Sequence, residues 1–386
     1  MAVNDHAPLA PSSAHIWAPE NGCRASVALQ AAYPSPEDSP EAREGTAAHF
    51  YVTELLSGRD VPLGAVAPNG HPIDAEMVDC AQGILIDVRD TMKAAGEIDL
   101  RVERRVTMAQ HVHPSCFGTP DVVLVDRTNK ALHVWDYKYG HRFVDATRNW
   151  QLMLYAIGVL EGMGYDASAA YDDPRAFRNW RISVTIAQPR NYDSVGPMRE
   201  WYLSGEALAD YLPGLRLAAG EAMAPGAPYQ TGEHCRDCSG RHACPALQKA
   251  GAIAMDVSLQ AQPVDLPPHA VGLELRQIMD AEARLKARRT GLEEQALGLI
   301  RGGTLVPFFT TEHTSGRENW TVPASQVFAL GDLYGVNLRK PPEPITPAQA
   351  RKAGIDSDAM TEMARKPMGA LRLARVNDDA AKRAFE

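Results

Sequence analysis

Two acidic residues and a lysine carry the strongest chemical signal in this sequence: Asp121 in Gly118-Thr119-Pro120-Asp121, then Asp136 and Lys138 in Asp136-Tyr137-Lys138. The stretches around them, GTPDVVLVD and ALHVWDYKYG, are rich in β-branched and aromatic residues and are joined by Arg127-Thr128-Asn129-Lys130, a pattern that predicts a β-hairpin. Asp121 lies seven residues before Thr128 and Asp136 seven after Asn129. An unbulged register therefore sets the two carboxylates opposite each other, with Cβ atoms roughly 4.5–5.5 Å apart. That spacing suits one hard divalent cation, Mg2+ or Mn2+. Lys138 follows Asp136 by two residues, so the period of a strand puts both on one face, while Trp135 and Tyr137 point the other way into a core. A cation between carboxylates, with an ammonium beside it, is equipment for phosphodiester hydrolysis. By itself, D-x-K is a common tripeptide that also reads as a surface salt bridge.

The hairpin needs elements around it. EAREGTAAHFYVTELLSG and AEMVDCAQGILIDVRDTMKAAG read as helices that stop near Gly58 and Gly96, and the PSPEDSP stretch at Pro34–Pro40 reads as loop. LRVERRVTMA alternates as a strand, TRNWQLMLYAIGVLEG returns to helical spacing, and NWRISVTIAQPR is another strand. The alternation predicts an α/β fold, a mixed central sheet flanked by helices. Gln151 and Tyr155 stand four apart on the helix after the hairpin and share one face.

Taken together, these stretches resemble the RecB-like branch of the PD-(D/E)XK nucleases. Gly45-Thr-Ala-Ala-His49 is similar to that branch's helix with a metal-binding histidine, Asp121 and Asp136-x-Lys138 match its central motifs, and Gln151-x-x-x-Tyr155 matches its following helix. The resemblance implies a restriction-endonuclease-like core and a metal held by His49, Asp121, Asp136 and the main-chain carbonyl of Tyr137. It also implies that Lys138 serves catalysis, with Gln151 and Tyr155 contacting DNA or the lysine. One position departs from the pattern. Where the family often has an acid four residues after this histidine, the chain has Thr53, and the neighbouring Glu54 falls one step around the helix, outside the expected site. Glu103, on the preceding strand, reads equally well as a further metal ligand and as a surface charge.

Cys235-Arg-Asp-Cys238 followed by Cys244-Pro puts three thiols on a short loop, a metal-like spacing one ligand short of four. Zinc with His242 or His234 completes the set locally. The resemblance implies a different fourth ligand: iron–sulfur members of the branch place one cysteine ahead of the core, where Cys23 stands here, so that Cys23, Cys235, Cys238 and Cys244 would hold a structural [4Fe–4S] cluster joining the two ends of the domain. Cys80 and Cys116 read as buried or incidental thiols.

The chain of 386 residues is expected to hold a nuclease domain over 1–260, a linker over 261–270 and a C-terminal α+β region over 271–386 that is largely helical. In that last region Val271, Ile278, Leu285, Leu292 and Leu299 recur every seventh residue, but Glu282 and Arg289 interrupt the stripe, which favours a docking helix over a coiled coil. FFTTEHTSGRENWTVP reads as a short hairpin about Ser315-Gly316, with helix and loop beyond it. This region could contact DNA or a partner protein, or form an oligomer.

With 45% hydrophobic and 23% charged residues the composition is globular. The net charge of −9 argues against a general nucleic-acid coat. A local groove lined by Arg101, Arg104, Arg105, Arg142 and Arg148 could still hold phosphates, although each arginine separately reads as a solvated charge. No apolar run is long enough for a membrane span and no signal peptide is visible, so a cytoplasmic protein of a bacterial host cell is expected. The resemblance is nearest to phage and prophage nucleases. It implies a DNA exonuclease that acts on linear ends in recombination or repair beside a single-strand annealing protein. The alternative is a DNA-binding or scaffolding subunit with little nuclease activity of its own.

Overall fold

Valine-rich alternation and a four-residue turn build the centre of a sheet, and capped helices cover it. The computed structural model describes residues 7–34, 39–170, 173–191, 196–259, 266–315, 319–320, 322–338, 363–365 and 368–375. The chain divides into two compact units, Met1–Gly291 and Leu292–Glu386.

In the first unit, the short helices α1 (Ala14–Trp17) and α2 (Ser26–Ala32) precede α3 (Pro40–Leu56). α3 begins where Ser39 Oγ accepts from the Ala42 N–H at 3.1 Å, with Pro40 in its first turn. α4 (Ala75–Ala94) starts the same way, Asp74 accepting from the Met77 N–H at 2.8 Å. Strands β1 (Ile98–Val102), β2 (Val106–Thr107), β3 (Phe117–Gly118), β4 (Val122–Asp126) and β5 (Ala131–Tyr137) come next, and then α5 (Trp150–Gly162). After these come β6 (Arg181–Ala187), β7 (Met198–Ser204), α6 (Gly205–Asp210), α7 (Leu212–Met223), α8 (Pro245–Ser258) and α9 (Pro268–Arg301).

The sheet runs β1-β4-β5-β6-β7. The β5/β6 pair is parallel and the other pairs are antiparallel, so the sheet is mixed, as expected. Two cores fill its faces. Val122, Leu124, Trp135 and Tyr137 pack with α3 and α4, whereas Val123, Val125, Leu132 and Val134 pack with α5 and the N-terminal segment. This strict alternation is the period of a strand buried on both sides.

Three local expectations change. LRVERRVTMA is not one strand: Glu103 takes φ 47°, and the chain bends there between β1 and β2. β7, which the sequence reading passed over, closes the sheet edge; its MREWYLS carries both charges and large apolar residues, and its burial alternates only weakly. The expected hairpin about Ser315-Gly316 falls partly on residues 316–318, outside the described residues. The flanking strands β8 (Phe309–Ser315) and β9 (Asn319–Trp320) pair instead with β11 (Met368–Arg375) and β10 (Ala364–Arg365). Beyond the expected hairpin, where mostly helix and loop were expected, the second unit thus carries further strands, together with α10 (Ala324–Leu333) and a small core around Val327, Leu330 and Leu338.

Residues 261–265 of the expected linker lie outside the described residues, and Pro268 already opens α9. α9 docks on the cysteine loop, but through Ala287, Arg288 and Gly291 and not through its leucine stripe. Ala287 is buried, the Arg288 guanidinium donates to the His242 carbonyl, and a Cβ on Gly291 would stand 2.8 Å from the backbone of His242. Val271, Ile278, Leu292 and Leu299 are all more than 40% exposed. Among the described residues, no helix is long and apolar enough to cross a membrane.

Candidate functional site

The β4–β5 hairpin pairs Val122 with Trp135, Val123 with Val134 and so on to Asp126 with Ala131, without a bulge. Carried one step outward, this register sets Asp121 opposite Asp136, the arrangement that equal arms about the turn predict. The Lys138 N–H donates to the Ala187 carbonyl at 2.8 Å, which continues the β5–β6 pairing and keeps Lys138 on strand geometry. Lys138 Nζ stands 2.9 Å from Asp136 Oδ1 and 2.8 Å from Oδ2. From α5, Gln151 Nε2 donates to Asp136 Oδ1 at 2.9 Å, while its Oε1 accepts from Lys138 Nζ at 3.4 Å. Gln151 therefore orients the acid and the lysine together.

Tyr155, one turn further along α5, is buried and hydrogen-bonds Gln151. Its ring explains Gly118: a Cβ there would lie 3.1 Å from Tyr155 Cε1 and 2.9 Å from Pro11 Cδ.

The opposite wall comes from α3. Ala47, Ala48, Tyr51 and Val52 bury one face of that helix, and His49, next to it, reaches Asp121 with Nδ1 3.4 Å from Oδ2. Its ring meets Tyr137 edge-on with centroids 5.4 Å apart. Asp121 Oδ2 also accepts from the Tyr137 N–H at 2.7 Å. Glu103 completes the group: it sits exposed at the left-handed bend, its N–H donates to the Asp121 carbonyl at 3.0 Å, and one donor atom each of His49, Glu103 and Asp121 lie within 4.8 Å of one another. Thr53, where the family pattern often has an acid, hydrogen-bonds Glu103. The carboxylate near His49 thus comes from the bend and not from α3. Glu54, left out of the expected site, pairs with Arg59.

Electrostatics separate the acids. Burial pushes Asp121 up, but His49, Lys138 and the Tyr137 N–H outweigh it and hold the carboxyl below its ordinary range. Asp136 goes the other way: burial, reinforced by Asp121, raises it despite Lys138. Glu103 is pushed up to about 7 by burial and by Asp121. Burial lowers His49 and Lys138, but the facing carboxylates more than offset it, so both keep their protons more firmly than usual. Asp136 and Glu103 are thus the two acids whose charge their surroundings compensate least.

Of the arginines proposed to line a phosphate groove, Arg101 is spent on Asp99 at 2.7 Å and Arg142 on Asp237 at 2.6 Å, while Arg105 lies over the Phe117 ring.

The cysteines form a second cluster. Cys23, Cys235, Cys238 and Cys244 line one small cavity, although Cys23 and Cys235 are more than 200 residues apart. Backbone N–H groups donate to three of the sulfurs: Gln230 to Cys23 at 3.5 Å, Gly232 to Cys235 at 3.4 Å and Leu247 to Cys244 at 3.4 Å. Burial raises the Cys23 and Cys235 thiols and pushes Cys238 up to about 12. His234 also lines the cavity, but its Nε2 lies 3.0 Å from the Gln230 carbonyl, and His242 packs edge-on against Tyr33. Asp237 ties the cluster to the rest of the unit, with Oδ2 3.1 Å from His15 Nε2 and Oδ1 2.6 Å from Arg142.

A crystal structure from Eubacterium rectale, provisionally described as an exonuclease, is similar to this chain at 12% identity and a TM-score of 0.33, over 69% of this chain and 93% of that one. A family profile described as "Protein of unknown function (DUF2800)" matches residues 6–338, and the chain belongs to that family.

Proposed function

We propose that this chain is a divalent-metal-dependent deoxyribonuclease of the PD-(D/E)XK kind, acting on DNA ends in recombination or repair. The observation that carries the reading is the convergence of His49, Glu103 and Asp121 from three separate segments, next to an Asp136–Lys138 pair that Gln151 holds in place. Oxygen donors with one imidazole fit Mg2+ or Mn2+. His49, Asp121 and Glu103 would hold the ion, with Asp136 and the Tyr137 carbonyl beside them, and the ion would supply Lewis acidity toward a phosphoryl oxygen.

The chain's own groups divide the remaining tasks. Lys138, kept cationic by two carboxylates, offers hydrogen bonds to the attacking water and to the charge that builds on the phosphate. Asp136 and Gln151 fix where that ammonium points. Tyr155 sets Gln151 through its hydrogen bond and closes the α5 side. No side-chain nucleophile is needed.

The four thiols support a structural metal centre, for which we propose a [4Fe–4S] cluster with Cys23 as the distant ligand; both candidate histidines for a zinc site have other contacts. Iron and sulfide in anaerobically purified protein, with broad visible absorption, are the expected result. Zinc alone would overturn the cluster.

The nuclease reading is tested with end-labelled linear DNA and closed circular DNA in Mg2+ or Mn2+. Wild type should degrade the linear substrate and Lys138→Ala should not. Cutting of neither form, or equal cutting by Lys138→Ala, would sink the reading. Cutting of circles would remove the preference for ends.

A further inference from the structure

Against the donor trio lies a cavity that the chemistry above does not use. It measures about 530 Å³ and shares His49 and Glu103 with the trio, a size typical of small-ligand sites. Thr46, His49, Phe50 and Thr53 form one wall from a single face of α3, at the spacing i, i+3, i+4, i+7. Ala67 and Pro68 form the other from a short arm over 64–73. The arm is built, not loose. Gly64 N–H donates to the Ile73 carbonyl at 2.9 Å, Ile73 N–H to the Ala65 carbonyl at 2.8 Å, and Ala67 N–H to the His71 carbonyl at 2.9 Å. Asn69 Nδ2 donates to the Arg43 carbonyl at 2.7 Å and fastens the arm to α3.

The polar side chains of these walls already have partners. Thr46 donates to the Ala42 carbonyl at 2.9 Å, Asn69 Oδ1 accepts from the His71 N–H at 3.1 Å, and Thr53 hydrogen-bonds Glu103. Apart from His49 and Glu103, which belong to the trio, what the lining adds is mainly apolar: the Phe50 ring, Ala67 and Pro68. A phosphodiester at the trio carries a nucleoside on either side. The part of a nucleoside that an aromatic, apolar slot receives is its base, by stacking and without regard to which base it is. A base can enter only when it is not paired in a duplex.

Resting on the nuclease reading, we infer that this cavity takes the unpaired nucleobase next to the cleaved phosphodiester, stacked on Phe50 and unselected for identity, so that the substrate is single-stranded DNA or a frayed end.

Binding and cutting test this separately. The full-length protein is titrated, with Ca2+ in place of Mg2+, against a single-stranded oligonucleotide bearing terminal 2-aminopurine and against an abasic counterpart. The analogue's fluorescence should be quenched, the abasic strand should bind about tenfold more weakly, and strands ending in each natural base should bind within about twofold of one another. Phe50→Leu keeps apolar volume but removes the flat ring, and should weaken binding about tenfold. Ala67→Phe fills the slot and should abolish the quench; a melting curve for each variant checks that it is folded. Equal binding of the abasic strand, unchanged affinity in folded Phe50→Leu, more than tenfold preference for one base, or no binding at all would overturn the pocket. Quenching without any cutting in Mg2+ would sink the nuclease and spare the pocket. Cutting that proceeds equally on abasic strands, without quenching, would do the reverse.

Discussion

The two ends of the β4–β5 hairpin hold buried carboxylates in opposite circumstances. At the turn, Asp126 accepts from the Asn129 N–H at 3.0 Å, from Asn129 Nδ2 at 2.7 Å and from the Gly96 N–H at 3.2 Å. These donors are neutral, and together they overcome burial and hold its carboxyl below the ordinary range. At the open end, Asp136 is raised by burial and by Asp121, and Lys138 only partly compensates. The strands and register are shared, so the neighbours make the difference. Asp126 is satisfied by the fold and serves it. Asp136, unlike Asp126 and its own neighbour Asp121, is left with a charge that its surroundings only partly compensate.

The largest effect should come from breaking the open end. Asp136→Asn is expected to lower DNA cutting by at least about 100-fold, measured on linear DNA in Mg2+. Because the folded carboxyl of Asp136 is raised, its charged form opposes folding at neutral pH, so the same variant should melt at an unchanged or higher temperature without metal. A marked loss of stability would show that Asp136 serves the fold after all.

Breaking the turn end should do the converse. Asp126→Ala is expected to cost about 2–3 kcal/mol of stability by urea unfolding, while cutting per folded molecule stays unchanged. Within the open end, Glu103→Gln should weaken Mn2+ binding about tenfold, read by calorimetry. Unaltered binding would return Glu103 to the status of a surface charge.

The smallest effect is one of pH. A carboxyl held low in the folded state contributes stability that is present above its unfolded value, about 4, and is lost as pH falls through the lower folded value. The deficit of Asp126→Asn relative to wild type should therefore be full at neutral pH and fade below about pH 4. A deficit that does not change with pH would mean that shape, and not charge, makes Asp126 useful.

Much of the hairpin was legible in the sequence because it is local. The turn residues and equal arms specify a register, and the two-residue period then assigns Asp136 and Lys138 to one face and Trp135 and Tyr137 to the other, where they are found. Gln151 and Tyr155 were legible for the same reason, one face of one helix. Glu103 was not. An acid among arginines in an alternating stretch looks like a surface strand, and nothing local announces a left-handed bend at a residue other than glycine. β7 was hidden because MREWYLS alternates only weakly, and the pairing of β8 with β11 because strand partners distant in sequence leave no spacing to count.

The sequence by itself determined the mixed α/β character, the hairpin register and which side chains share a face, since all follow from short-range periodicity and turn chemistry. Only the tertiary structure decided that His49 meets Asp121 across the sheet end, that Glu103 joins them while Asp136 turns to Lys138 and Gln151, and that Cys23 lines the cavity of the C-terminal cysteines. Those contacts join segments from about 15 to more than 200 residues apart. They depend on how helices pack on the two faces of the sheet, and packing is a property of the whole chain that no local pattern encodes.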